Sequence, residues 1–283
     1  RSMEICRTIN DVRQAVAAKR QTGNRISFVP TMGALHEGHL SLMRLALKDA
    51  ETVVVSIYVN PTQFGPNEDF DTYPRDLESD IEKCKNEGVE IIFAPSHDEI
   101  YTDETYLSIG IHSLNSSMCG ASRPGFFEGV LLIVNKLFNI VKPDSAVFGQ
   151  KDIQQFQIIN RMVQEFNHDI KMIMGPIERA NDGLALSSRN QYLNEKERQA
   201  APGLYRTLRY IKEQISDGVS TPSLLIKHQE SELEAKGLKI DYINVFSMQT
   251  LQPEKHVEKG GKYIVAGAVY AGNTRLIDNL LIE

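Results

Sequence analysis

Apolar runs separated by amphipathic stretches organise the first two-thirds of the chain. Residues 26–30 (ISFVP) read as a short buried strand. Residues 52–59 (TVVVSIYV) are almost continuously apolar and rich in β-branched side chains, which predicts a strand covered on both faces, as in a parallel sheet. Residues 89–94 (VEIIFA) form a third such run. Between the first two, from His39 onward, Leu42, Leu45 and Ala46 recur at helical spacing. Between the second and third, Arg75 to Glu87 reads as a charged amphipathic helix closed by Gly88. This βαβαβ alternation predicts an α/β fold: a Rossmann-like, doubly wound parallel sheet.

The pattern then loosens over residues 96–125, with a strand expected at Leu107–Ile111. A helix follows at Phe127–Val141, with Pro143 just past its end, then a strand at Ala146–Phe148 and a turn at Gly149–Asp152. Ile153–Phe166 reads as a helix and Ile170–Met174 as a strand, so the first domain closes near Gly175–Asp182. Beyond it, two long helices are expected at Glu195–Ser216 and Pro222–Lys236. Strand-like runs follow at Ile240–Phe246, Tyr263–Tyr270 and Arg275–Ile282, the last two joined as a hairpin through the turn signal at Asn273. This second part, 183–283, is a smaller α+β domain. Glu254 to Lys262 is mixed in charge and reads as a solvated loop.

Composition narrows the function classes. A length of 283 residues fits one large or two medium domains. With 41% hydrophobic and 24% charged residues the chain has the balance of a soluble globular protein. A net charge of −6 argues against a non-specific nucleic-acid binder but leaves room for a local basic pocket. Cys6, Cys84 and Cys119 are far apart and form no CxxC pair, against a disulfide framework or zinc cluster and in favour of a reducing, cytoplasmic setting. No apolar run reaches the roughly 18 residues of a transmembrane helix, and no signal-peptide core follows the start. Arg1-Ser2 ahead of Met3 reads as an expression remnant.

Four strings carry chemistry. The first, PTMGALHEGH (residues 30–39), lies between a strand and a helix. Its histidines stand three apart with glycine between, whereas the metalloprotease pair H-E-x-x-H is spaced four apart on one helix face. A turn whose histidines cap or pack is a second reading. A third is an anion site, since a glycine-containing loop feeding a helix N-terminus presents main-chain N–H groups to negative charge. Gly33 and Gly38 would let the backbone approach a ligand, and imidazole donors would stabilise charge on a phosphoryl group.

The second string, VNPTQF (59–64), follows the second strand and so falls at the carboxyl edge of the sheet. Its neutral amides, Asn60 and Gln63, suit hydroxyl and carboxylate groups; an Asn-Pro turn with a surface Gln is the plainer reading. The third, FGQKDIQQ (148–155), offers Lys151 as a mobile charge for phosphate and Asp152 as a helix cap or lysine partner. The fourth, DGLALSSRN (182–190), sets two hydroxyls beside a guanidinium, which suits pyrophosphate oxygens. It also fits a serine N-cap.

HEGH resembles the HxGH signature of the nucleotidyltransferase superfamily, which class I aminoacyl-tRNA synthetases share. The four strings together, in content and order, resemble the pantothenate synthetase (pantoate–β-alanine ligase) family over essentially the whole chain after Ser2. The resemblance implies a two-step ligase: pantoate attacks the α-phosphorus of ATP, and β-alanine then displaces AMP from the pantoyl adenylate. It implies ATP contacts at Met32, Gly33, Ala34, Leu35, His36, Glu37, Gly38, His39, Gly149, Gln150, Lys151, Asp152, Glu178, Leu186, Ser187, Ser188 and Arg189. It places Gln63, Gln155 and Asn60 on pantoate, and Gln63 also on β-alanine. His39, His36 and Lys151 are the expected catalytic residues, with His39 the proton donor and Mg²⁺ carried on the ATP phosphates, no metal ligand being assigned on the protein. Residues 3–182 would bind nucleotide and pantoate, with 183–283 as a lid, in a cytoplasmic homodimer. The loop around Phe64–Tyr73 would help shield the labile adenylate from water.

Two positions depart from the family pattern. Leu186 stands where methionine is common, in the counterpart of the mobile KMSKS loop, and Phe126 stands where many relatives carry histidine. A related adenylyl transferase acting on another acid, and a non-catalytic nucleotide-binding module, are the competing readings. Pyrophosphate release from ATP with and without pantoate, followed by AMP release on adding β-alanine, separates them.

Overall fold

The computed structural model describes residues 2–102 and 104–283. The chain opens with β1 (Glu4–Cys6) and α1 (Ile9–Gln21), followed by β2 (Ile26–Thr31), α2 (Glu37–Asp49), β3 (Thr52–Ile57), α3 (Leu77–Glu87) and β4 (Ile91–Phe93). Then come α4 (His97–Ile100), α5 (Met118–Ser122), α6 (Phe126–Val141), β5 (Ser145–Gly149), α7 (Ile153–Glu165) and β6 (Lys171–Gly175). The remainder is α8 (Glu195–Ala200), α9 (Gly203–Ser216), α10 (Ser223–Ala235), β7 (Leu238–Ser247), β8 (Tyr263–Ala271) and β9 (Thr274–Ile282). None of the described helices is long and apolar enough to cross a membrane.

The described chain falls into two compact units. Among the described residues, the first comprises 2–102, 104–111, 123–150 and 158–176; the second comprises 112–122, 151–157 and 177–283.

In the first unit six parallel strands run in the order β1-β4-β3-β2-β5-β6. One face packs Val29, Val53, Val55 and Ile92 against Met43 and Ala46 of α2 and Cys84 of α3. On the other, Phe28 meets Phe138 of α6 edge to face, and Phe138 also meets Phe148 of β5. Burial on both faces explains why the strands read as unbroken apolar runs. From β2 the chain adds strands first toward β3 and then, after the crossover, toward β5, which makes the β2–β5 boundary the topological switch point. There β2 pairs with β5 only at Ser27 and Phe28, so Pro30, which cannot donate, lies beyond their last pair.

The second unit carries an antiparallel sheet in the order β7-β8-β9, with the β8–β9 hairpin turning at Gly272-Asn273 between the paired Ala271 and Thr274. Val245, Val265 and Val269 of this sheet pack on Leu204, Leu208 and Ile211 of α9 and Leu233 of α10.

Two expected elements differ. Leu107–Ile111 forms no strand: the segment finds no ladder partner, and Tyr106 and Leu107 are exposed. The helix expected over Glu195–Ser216 is two helices, α8 and α9, divided at Ala201-Pro202. Pro202 has no N–H to donate and its ring displaces the carbonyl four residues back. The sequence pattern also passes over β1 and α1. The strand has three residues, and α1 buries only Val12, Ala15 and Val16.

Candidate active site

The loop between β2 and α2 leaves the carboxyl end of the central strand at the switch point. Gly33 and Ala34 both adopt left-handed backbone, with φ of 80° and 52°. For alanine that conformation costs of order 1–3 kcal/mol and persists only when its surroundings impose it. Asp80 of α3 imposes it: its Oδ2 accepts from Ala34 N at 3.0 Å and its Oδ1 from Leu35 N at 3.0 Å. Lys83, one turn on, donates to the Leu35 carbonyl at 2.8 Å. Asp80 is 3% exposed. Sequence reasoning passes over it, because a charged residue on a charged helix reads as solvated. The available signal is its place on the apolar stripe with Leu77 and Cys84. We expect Asp80→Ala to orphan one buried and one partly buried N–H group, at about 1–3 kcal/mol for the buried one, and to lower Tm by several degrees in a thermal melt; an unchanged Tm would count against this anchoring.

The histidine spacing has a structural cause. His36 is the N-cap of α2 and His39 its third residue, and the two form a reciprocal capping box. His36 Nδ1 accepts from Gly38 N at 3.0 Å, and His39 Nδ1 accepts from His36 N at 3.2 Å. A Cβ at Gly38 would stand 2.7 Å from His36 Cε1, so the ring folded over this turn requires glycine there. The rings lie 4.2 Å apart between centroids. Because each Nδ1 accepts a main-chain N–H, each ring carries its hydrogen on Nε2. The capping reading is realised, and the same bonds set the orientation of both rings at the positive end of the helix. Glu37 is turned to the flank, where the Arg44 guanidinium bonds it and holds its carboxyl below the usual range.

Asn60 and Gln63 follow β3 in a short 3₁₀ turn, Pro61–Gln63. Asn60 is 1% exposed, and both ends of its amide are engaged. Nδ2 donates to Gln63 Oε1 and to the Gly129 carbonyl, each at 3.1 Å. Oδ1 accepts from the hydroxyls of Thr62 and Tyr101, each at 2.9 Å. This fixes the Gln63 amide with its oxygen turned to Asn60 and its Nε2 3.2 Å from the weak acceptor Met32 Sδ. Gln63 thus presents itself as a donor, and Asn60 and Tyr101 set that orientation. Gly129 of α6 lies directly beneath: a Cβ there would stand 2.3 Å from the Thr62 carbonyl oxygen.

In the second unit, Lys151 sits in the 3₁₀ turn Gln150–Asp152 that opens α7, half-buried, with Asp152 exposed. Gln155 is half-buried, whereas Gln154 is clamped among main-chain groups of Leu114, Ser117 and Gly120. Glu178 contributes its carbonyl to Leu186 N at 2.9 Å. Ser187 caps the turn Ser188–Tyr192, its Oγ accepting from Arg189 N at 3.2 Å, while Ser188 and Arg189 are exposed. The serine-capping reading is therefore realised.

Phe126 opens α6 with the Arg123 guanidinium 3.7 Å from its ring centroid, and Arg123 also pairs with Glu68. Glu68 belongs to the 64–73 loop, in which Phe64 packs edge to face on Phe70 and Tyr73 at 5.4 and 5.8 Å. Among the described residues no group of three or more His, Cys, Asp or Glu stands together in a metal-holding arrangement.

The chain is similar to known proteins along nearly its whole length. The family model described as pantoate-beta-alanine ligase matches residues 4–281. A pantothenate synthetase of Fervidobacterium nodosum is 49% identical, over 99% of this chain and 100% of its own. The crystal structure of pantothenate synthetase from Thermus thermophilus superposes with a TM-score of 0.88 at 39% identity, covering 98% of this chain and 99% of that one. A Francisella tularensis pantoate-beta-alanine ligase, solved in complex with beta-gamma ATP and beta-alanine, gives a TM-score of 0.80 at 35% identity over 99% and 98% of the two chains. The chain belongs to the pantoate–β-alanine ligase family.

Proposed function

We propose that the protein condenses pantoate with β-alanine at the expense of ATP, giving pantothenate, AMP and pyrophosphate through pantoyl adenylate. The observation that carries this reading is the pair of oriented Nε2–H donors of His36 and His39 at the N-terminus of α2, at the switch point of the sheet. The pantoate carboxylate attacks the α-phosphorus of ATP, and pyrophosphate leaves with the bonding electrons. Negative charge grows on the phosphate oxygens, and preorganised donors lower its energy. His36, His39, Lys151, Ser187, Ser188 and Arg189 are assigned to that charge. The main chain of Met32–Gly38, with Gly149, Gln150, Asp152, Glu178 and Leu186, completes the ATP contacts.

His39 acts here as a hydrogen-bond donor. Full proton donation would require a doubly protonated ring, and Nδ1 would then lose the His36 N–H it accepts. Gln63 donates from Nε2 to pantoate and, in the second step, to β-alanine. Gln155 and the Asn60 turn complete the pantoate contacts. In that step the β-alanine amine attacks the acyl carbon, AMP departs with the former carboxylate oxygen, and the amine proton is released to solvent.

Mg²⁺ fits as a partner of the triphosphate: the assigned groups are largely imidazoles, an ammonium and a guanidinium, which suit phosphate oxygens. It supplies charge neutralisation when bound there. The aromatic-packed 64–73 loop shields the adenylate from water, and the enzyme works as a cytoplasmic homodimer. Light scattering at micromolar concentration tests the dimer.

Pyrophosphate release from ATP, measured with and without pantoate, followed by AMP release on adding β-alanine, tests the reaction. ATP binding without turnover would leave a nucleotide-binding module; pantoate-dependent pyrophosphate without an amide product would indicate a different acceptor. For Gly129→Ala we expect the 3₁₀ turn to be displaced and KM for pantoate to rise roughly tenfold or more, as a 1 Å misplacement commonly costs. An unaltered pantoate KM would remove Gln63 from the pantoate contacts.

A further inference from the structure

We infer that Asp278 and Asn279 of β9 are positioning residues for the two phosphate-facing segments of the second unit. Both side chains are buried, at 4% and 1% exposure, although they are adjacent on a strand. Neighbouring strand residues point to opposite faces, so burial of both leaves two polar groups away from water. Such groups persist where their bonds are made.

Those bonds reach far along the chain. Asp278 takes the Arg179 guanidinium in a bidentate grip, Oδ2 at 2.6 Å from Nη1 and Oδ1 at 2.8 Å from Nη2. Arg179 stacks on the Tyr205 ring with its guanidinium carbon 4.0 Å from the centroid, and donates to the Gly183 carbonyl at 2.9 Å. It belongs to a small hairpin in which Arg179 bridges Ala185, Ala180 N donates to the Leu184 carbonyl and Leu186 N to the Glu178 carbonyl. The hairpin runs directly into Ser187–Arg189. Asn279 Nδ2 donates to the main-chain carbonyl of Lys151 at 3.2 Å, and its own N–H is taken by Asp278 Oδ1 at 2.7 Å.

A buried ion pair is weak support for stability, since desolvation offsets most of its attraction. What this arrangement supplies is position. One rigid strand fixes the turn bearing Lys151 and the hairpin leading to the serines and arginine, as a catalytic constellation requires. The inference rests on the assignment of Lys151 and Ser187–Arg189 to ATP phosphates.

The test is steady-state pyrophosphate release by Asn279→Asp, which removes the donor, and Asp278→Asn, which weakens the Arg179 grip, each also made in a Lys151→Ala or Arg189→Ala background respectively. We expect kcat/KM for ATP to fall roughly tenfold to a hundredfold, KM for pantoate to stay within about twofold, and no further loss in the paired backgrounds. Should Asn279→Asp fail to fold, Asn279→Leu, which removes the donor without adding a charge, is read for the same split between substrates. Equal losses for ATP and pantoate, or full additivity with Lys151→Ala, would reduce both residues to core structure and overturn the inference. Normal rates for Lys151→Ala itself would instead overturn the site assignment.

Discussion

His39→Ala lowers pantoate-dependent pyrophosphate release by roughly two to three orders of magnitude, the usual loss for one preorganised donor to developing charge, about 2.7–4 kcal/mol. The same change also removes the acceptor of His36 N in the capping box. Loss of a helix cap costs about 1 kcal/mol. The two effects separate by size. A melt should show a drop of a few degrees, while the rate at a temperature where the variant is fully folded should fall a hundredfold or more. If the rate loss matched the small stability loss, His39 would be a cap and nothing else.

Lys151→Ala should lower adenylate formation by at least as much, with the fold intact. Lys151 is half-buried in a turn whose main chain is fixed by Asn279. Deleting the side chain leaves that main-chain bond in place, so little stability is at stake. Lys151→Arg should recover only part of the rate, because a planar fork does not reproduce a compact ammonium on a flexible stem. The discriminating measurement is single-turnover adenylate formation at saturating ATP, alongside circular dichroism. Near-normal turnover in both the Lys151 and His39 variants would remove the assigned catalytic groups together.

The parts of this fold that are legible in the sequence are those whose cause is local. β3 and β4 are apolar on both faces, and that alone marks strands buried in a parallel sheet. The helix at Leu77–Glu87 ends where Gly88 supplies the left-handed cap. The β8–β9 hairpin follows from the turn at Gly272-Asn273. Pro202 is a local signal too, and the apolar periodicity running through it conceals the break between α8 and α9. Leu107–Ile111 shows the opposite error, a strand-like pattern without a neighbouring strand to pair with.

At the candidate site the division is the same. The spacing of His36 and His39 sets them apart from a zinc pair, but it is the folded turn that has each ring accepting a main-chain N–H and so holding its hydrogen on Nε2. Asp80 lies 46 residues beyond Ala34, and Asn279 lies 128 beyond Lys151. No periodicity reports contacts at that separation. The residues that touch ligand in this reading sit in short strings; those that hold them in place are scattered, because they are brought together by the sheets.

Transfer of oxygen from pantoate to AMP tests the central claim most directly. With both carboxylate oxygens of pantoate labelled with ¹⁸O, the adenylate route requires the bridging oxygen to leave with AMP when β-alanine attacks. The account predicts one ¹⁸O in each AMP and one in the pantothenate amide, read by mass spectrometry. AMP free of label, with pantothenate formed at the normal rate, would contradict it.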